Sequence, residues 1–203
     1  MSKASAAAKP VALVHVKITL EGIRPPIWRR LVLADSSTLA NLHFFILAAM
    51  GWDGGHLHMF EAGGVDYSDL EQFDEARDER KMTIKALMRQ GVSRFRYTYD
   101  FGDNWDHSVL IEKKPPTADS PAPPACVGGA RACPPEDCGG WPGYEELIAA
   151  LKGSDKSRLR EALEMAGVED FDPEEFWPDE CNERFANWRR HHRELELLDA
   201  PVP

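Results

Sequence analysis

Arg94-Phe95-Arg96-Tyr97-Thr98-Tyr99-Asp100-Phe101-Gly102-Asp103-Asn104-Trp105-Asp106-His107-Ser108-Val109-Leu110-Ile111 is the stretch on which the fold turns. Phe95, Tyr97, Tyr99 and Phe101 alternate with Arg94, Arg96, Thr98 and Asp100, the period of a strand with one buried face. Gly102-Asp103-Asn104 supplies turn formers, and Trp105, His107, Val109 and Ile111 alternate on the way back. An antiparallel hairpin is expected here, rich in the aromatic and β-branched residues that pack well on a pleated surface.

Upstream, residues 11–34 predict two strands. Ala12, Val14, Val16, Ile18 and Leu20 alternate with Leu13, His15, Lys17 and Thr19 until Gly22-Ile23-Arg24-Pro25-Pro26 interrupts, since proline cannot donate to a ladder. A helix follows, capped by Ser37 or Thr38, with Leu39, Leu42, Ile46, Ala49 and Met50 on one face and Gly51 as its stop. His56 to Ala62 predicts a third strand, Gly63-Gly64 a turn, and Val65-Asp66-Tyr67 the return. Thr83 to Arg89 reads as a short helix. Residues 115–143 are rich in Pro, Gly, Ala and Cys and show no period, so a long loop is expected, and loops of that length need something to hold them. Beyond it, helices are expected over Tyr144–Lys152 and Ser157–Ala166, a helix start at Asp172-Pro173-Glu174-Glu175, and a last helix from Glu180.

The fold class is therefore α+β: a mixed or antiparallel sheet, ββαββ and β-grasp-like with an added hairpin, then a Cys/Pro/Gly-rich loop and C-terminal helices. The expected organisation is a disordered tail over 1–10, one domain over 11–190 and a tail over 191–203. Within the domain, 11–114 is the sheet part, 115–143 the Cys-rich loop and 144–190 the helical part.

The chain has 203 residues, with 34 acids against 24 bases and a net charge of −10. So acidic a chain has no global attraction for duplex phosphates or an anionic bilayer, so membrane docking and direct duplex binding are not expected. The only dense basic stretch, Arg189-Arg190-His191-His192-Arg193, is short and reads as a solvated helix face. The first ten residues lack the apolar core of an export signal, so the expected compartment is the cytoplasm, where cysteines are reduced or metal-bound. Phosphate-binding and dinucleotide glycine loops, the G-x-S-x-G elbow and the H-E-x-x-H helix are missing from the sequence.

Five segments in order carry a resemblance: Gly22-Ile23-Arg24-Pro25-Pro26-Ile27-Trp28-Arg29-Arg30; Ala49-Met50-Gly51-Trp52 with His56-Leu57-His58-Met59-Phe60; Tyr97 to His107; Ala132-Cys133-Pro134-Pro135-Glu136-Asp137-Cys138-Gly139-Gly140 with Gly143-Tyr144; and Phe171-Asp172-Pro173-Glu174. Together they resemble the plasmid pRiA4b ORF-3-like family over residues 11–190. The resemblance implies an association with plasmids and insertion elements, whose passenger proteins of this kind carry a TnpR label. The chain lacks the basic DNA-binding tail of a serine resolvase, so recombinase activity is not carried over.

Four constellations could carry chemistry. Cys126-x6-Cys133-x4-Cys138 offers three thiolates in a loop that needs a staple, and His107, or alternatively His58, could complete a zinc tetrahedron. Buried free thiols, or one disulfide with a spare thiol, are the other readings. His56 and His58 sit two apart on one predicted strand, roughly 7 Å from each other. With Asp103 and His107 they could form a catalytic or metal site, or else pack as ordinary sheet residues. Trp105 could stack a flat ligand or pack in the sheet. Arg29 and Arg30 beside Trp28 could hold an anion, or pair with surface acids. Two functions follow: a binding module for a protein or small molecule with a zinc-stapled loop, or a metal-dependent hydrolase at the His/Asp end of the sheet.

Overall fold

A computed structural model describes residues 12–71 and 73–187. The predicted tails, Trp188 and the basic run Arg189–Arg193 lie outside the described residues.

Eight strands form one sheet. They are β1 (Leu13–Leu20), β2 (Trp28–Ala34), β3 (His58–Ala62), β4 (Val65–Ser68), β5 (Arg77–Asp78), β6 (Arg94–Tyr99), β7 (Trp105–Ile111) and β8 (Ala125–Ala130). The spatial order is β5-β4-β3-β6-β7-β1-β2-β8, antiparallel except for the short β4–β5 pair. The β6–β7 hairpin that reads so clearly in the sequence is the middle of the sheet, inserted between the β1–β2 and β3–β4 hairpins of the ββαββ unit.

Register fixes the faces. Ile18 pairs with Val109 and Arg29, Tyr97 with Phe60 and His107, and Tyr99 with His58 and Trp105. All of these point to one side. Tyr97, Tyr99, Phe60 and Ile18 are fully enclosed there, each burial worth roughly 2 kcal/mol. Helix α1 (Leu39–Met50) covers this side. Its Thr38–Asn41 capping box closes its start and Gly51, at φ 88°, its end. Arg94, Arg96, Lys17, Arg30 and Trp28 occupy the opposite, open face, where Lys17 and Arg30 lie over the Trp28 ring.

Helices α2 (Ile84–Arg89), α3 (Gly140–Lys152) and α4 (Lys156–Met165), with a 3-10 turn at Glu79–Lys81, complete the described elements, and residues 178–187 are also helical. Tyr144, Leu147, Ala162, Cys181 and Phe185 join the same buried cluster as the sheet.

Three expectations need correction. The 115–143 segment is not all loop: Ala125–Ala130 is an edge strand on β2, and α3 begins one turn early, at Gly140. Asp172-Pro173-Glu174-Glu175 makes only a turn, with Asp172 accepting from the Glu174 amide at 2.9 Å. The helix starts at Pro178 instead, because a proline disfavours helical backbone at the residue before it and suits the first helical position. The third predicted strand begins at His58, which leaves His56 in the preceding loop.

Candidate metal centre

His56 faces the β6–β7 turn. Its Nδ1 lies 3.7 Å from Asp100 Oδ1, and its Nε2 lies 3.0 Å from Asp137 Oδ1 and 4.0 Å from Glu136 Oε1. One donor atom each from His56, Asp100 and Asp137 falls within 4.8 Å of the others. Both aspartates have left-handed backbones, φ 56° at Asp100 and 61° at Asp137. Such backbones are uncommon outside glycine and collect at functional positions. At Asp100 the positive φ breaks the strand phase and lets the carboxylate cap its own turn, accepting from the Gly102 amide at 2.9 Å. Asp100 is 7% exposed, whereas the Asp137 side chain is 72% exposed, so the cluster has one open side.

The 132–140 segment is pinned beside this cluster. Trp52 Nε1 donates to the Pro134 carbonyl at 2.9 Å, and Tyr99 Oη donates to Glu136. Burial, then the bond to Glu136, pushes the Tyr99 phenol well up, so it stays a donor. The Gly139 amide donates to Asp103 Oδ2 at 3.2 Å. Gly140, at φ 64°, approaches the Asp103 backbone so closely that a Cβ would lie 2.8 Å from its carbonyl oxygen.

The remaining sequence candidates are dispersed. His58 points into the core, stacked on His43 of α1 with ring centroids 3.5 Å apart and bonded to Glu79 at 2.8 Å. His107 lies two strands away, enclosed, with Nδ1 3.3 Å from the Tyr97 carbonyl. Burial drives its pKa down to about 4, and that of His43 to about 2, with His58 adding to the latter. The expected convergence of His56, His58, His107 and Asp103 therefore does not form. His56 sits in the bend before β3 whereas His58 enters the core, and β6 separates β3 from β7.

The thiol quartet does not assemble either. Cys126, Cys133 and Cys138 form no ligand cluster with His107 or His58 among the described residues. Cys126 is buried, its Sγ 3.6 Å from the Gly128 carbonyl. Cys133 Sγ accepts from Arg29 Nη2 at 3.0 Å, and Cys138 Sγ lies 3.9 Å from the Gly140 carbonyl. Burial raises Cys133 to about 11 and Cys138 to about 12, so both are thiols at neutral pH.

Arg29 and Arg30 do not act as a pair, because adjacent strand residues face opposite sides. Arg29 is buried. It donates to the carbonyls of Ala49, Trp28 and Ala130 and lies 4.2 Å from the Phe176 ring centroid. Arg30 makes a two-pronged pair with Glu112 on the open face. Trp105, 3% exposed and stacked on Trp52, presents no free ring. The sequence reading missed Asp100, Asp137 and Glu136 as site residues. The Cys133–Cys138 motif that contains the last two was the available signal.

The profile of the family described as "Plasmid pRiA4b ORF-3-like protein" matches residues 12–180. An "Uncharacterized protein y4hQ" of Sinorhizobium fredii is 37% identical over 164 residues, 79% of this chain and 84% of its own. A crystal structure titled as a "Protein of Unknown Function", MM3350 from Methanosarcina mazei Go1, superposes with a TM-score of 0.75 at 35% identity. It covers 83% of this chain and 97% of its own.

Proposed function

We propose, from the premise that the chain belongs to the plasmid pRiA4b ORF-3-like family, that it is a binding module holding one divalent metal ion, zinc first, at His56, Asp100 and Asp137. The observation that carries this is the gathering of the three donor atoms within 4.8 Å. Zinc accepts imidazole and carboxylate donors, and an ion here would tie the Cys-rich segment to the end of the sheet through Asp137 rather than through thiolates. To bind, it would take over the contact that His56 Nε2 now makes with Asp137. The association with mobile elements implied by the family resemblance belongs to this reading as its setting.

The open side favours a second reading, a metal-dependent hydrolase. Three protein donors leave a position for water, the pattern of catalytic zinc sites, whereas structural sites are closed by four. Glu136, 4.0 Å from His56, would then be the group placed to take a proton from that water.

Metal analysis of the purified full chain after zinc dialysis tests the site. The expected content is about one zinc per chain, as a single site requires. It should fall to background in His56→Ala and in Asp100→Asn, and persist in Cys133→Ser. Loss in Cys133→Ser with retention in His56→Ala would return the site to the thiols.

A further inference from the structure

A second concave site lies away from His56, where the turn between β1 and β2 meets α3. It is a cavity of about 540 Å³ walled by Ile23, Pro25, Trp141, Tyr144 and Ile148, with Arg131 among its polar groups. Cavities of 300–1,000 Å³ with apolar walls and a few convergent polar groups are typical of small-molecule sites. Arg131 is 8% exposed and held in a left-handed backbone at φ 68°. That conformation is costly for a long side chain without an Asn- or Asp-like local bond, and such strain collects at ligand clamps.

The guanidinium is only partly committed. Nη1 donates to the Pro25 carbonyl at 2.8 Å and Nε to Glu174 at 2.9 Å, while Nη2 makes no hydrogen bond among the described residues. Glu174 is 69% exposed, so its hold on Arg131 is the weak, exchangeable kind. Tyr144 lines the same cavity and its buried hydroxyl has no partner. Burial raises the phenol, which keeps it a neutral donor. Trp141 is 45% exposed, with an edge over Gly22.

We propose that this cavity binds a small carboxylate with a flat, apolar body. The carboxylate takes the place of Glu174 on Arg131, the planar fork that matches it with two parallel hydrogen bonds. The body lies between Trp141 and Ile148, removing exposed apolar surface from water. An amide or amine of the same shape leaves the guanidinium unmatched, so the site discriminates by charge.

Calorimetric titration of the full chain with 3-phenylpropionate, and with 3-phenylpropionamide as its uncharged counterpart, tests this. The acid is expected to bind with a Kd of about 1 mM or tighter and the amide at least about tenfold more weakly. Glu174→Gln removes the competing carboxylate from the surface and should tighten the acid about threefold, whereas Trp141→Ala should weaken it about tenfold. Both positions are exposed enough for the variants to fold. No heat from the acid up to about 10 mM, equal binding of acid and amide, or an affinity unchanged in both variants would overturn the proposal.

Discussion

Arg29 places a charge in the core with no carboxylate beside it among the described residues, satisfied instead by three carbonyls and the Cys133 sulfur. One of those carbonyls, Ala49, belongs to the last turn of α1, which has no basic residue of its own. Arg184 donates to the neighbouring Ala48 carbonyl at 2.6 Å. Two cations brought from elsewhere in the chain thus offset the negative end of the helix. His107 shows the opposite solution, a buried imidazole kept neutral. An unfolded histidine takes up its proton near pH 6.5, whereas His107 in the fold does so only near 4. Between those values the unfolded chain binds the extra proton, so stability is full above about pH 6.5 and declines as pH falls toward 4. Urea unfolding at pH 7 and pH 5 should therefore show a drop that is about 2 kcal/mol smaller in His107→Gln than in the natural chain. Equal drops in the two proteins would mean that His107 titrates normally in the fold.

At the scale of elements, the legible parts were those with a strong period or a cap. The alternation of Tyr97 and Tyr99 with Arg96 and Thr98 located β6 correctly, and the Thr38 cap located α1. Strand β8, Ala-Cys-Val-Gly-Gly-Ala, stayed hidden because its composition is that of a loop; it pairs because Gly128 and Gly129 fit beside Trp28, not from propensity. Asp100 was invisible as a candidate ligand for a related reason: in strand phase it belongs to the outer face, and only its positive φ turns it toward His56. The link from the Cys-rich segment into α3 rests on a close approach at Gly143, where a Cβ would lie 1.8 Å from the Cys138 carbonyl oxygen. Gly143→Ala should cost about 2 kcal/mol or more by forcing residues 136–138 away from the sheet, while Gly153→Ala, with no contact under 3.4 Å, should stay within about 0.5 kcal/mol. Thermal melts of the two variants side by side make the comparison; similar melting temperatures would show that the segment yields without cost.

For the whole molecule, one sheet with a buried aromatic side and a charged open side carries both proposed sites at its margins. No helix among the described residues is long and apolar enough to cross a membrane. The central hairpin is the common support. Its buried strands hold Tyr99 against Glu136, and its turn presents Asp100 to His56 and Asp103 to Gly139. Family membership was readable from five short motifs, but the partners within those motifs were not. Cys133 and Asp137 are four residues apart, yet the thiol turns inward to Arg29 and the carboxylate outward to His56. Anomalous diffraction from zinc-soaked crystals of the full chain would show whether His56, Asp100 and Asp137 hold a metal. One peak is expected about 2.0–2.2 Å from a His56 ring nitrogen and from carboxylate oxygens of Asp100 and Asp137. A peak about 2.3 Å from the sulfurs of Cys126, Cys133 or Cys138, with none at His56, would contradict it.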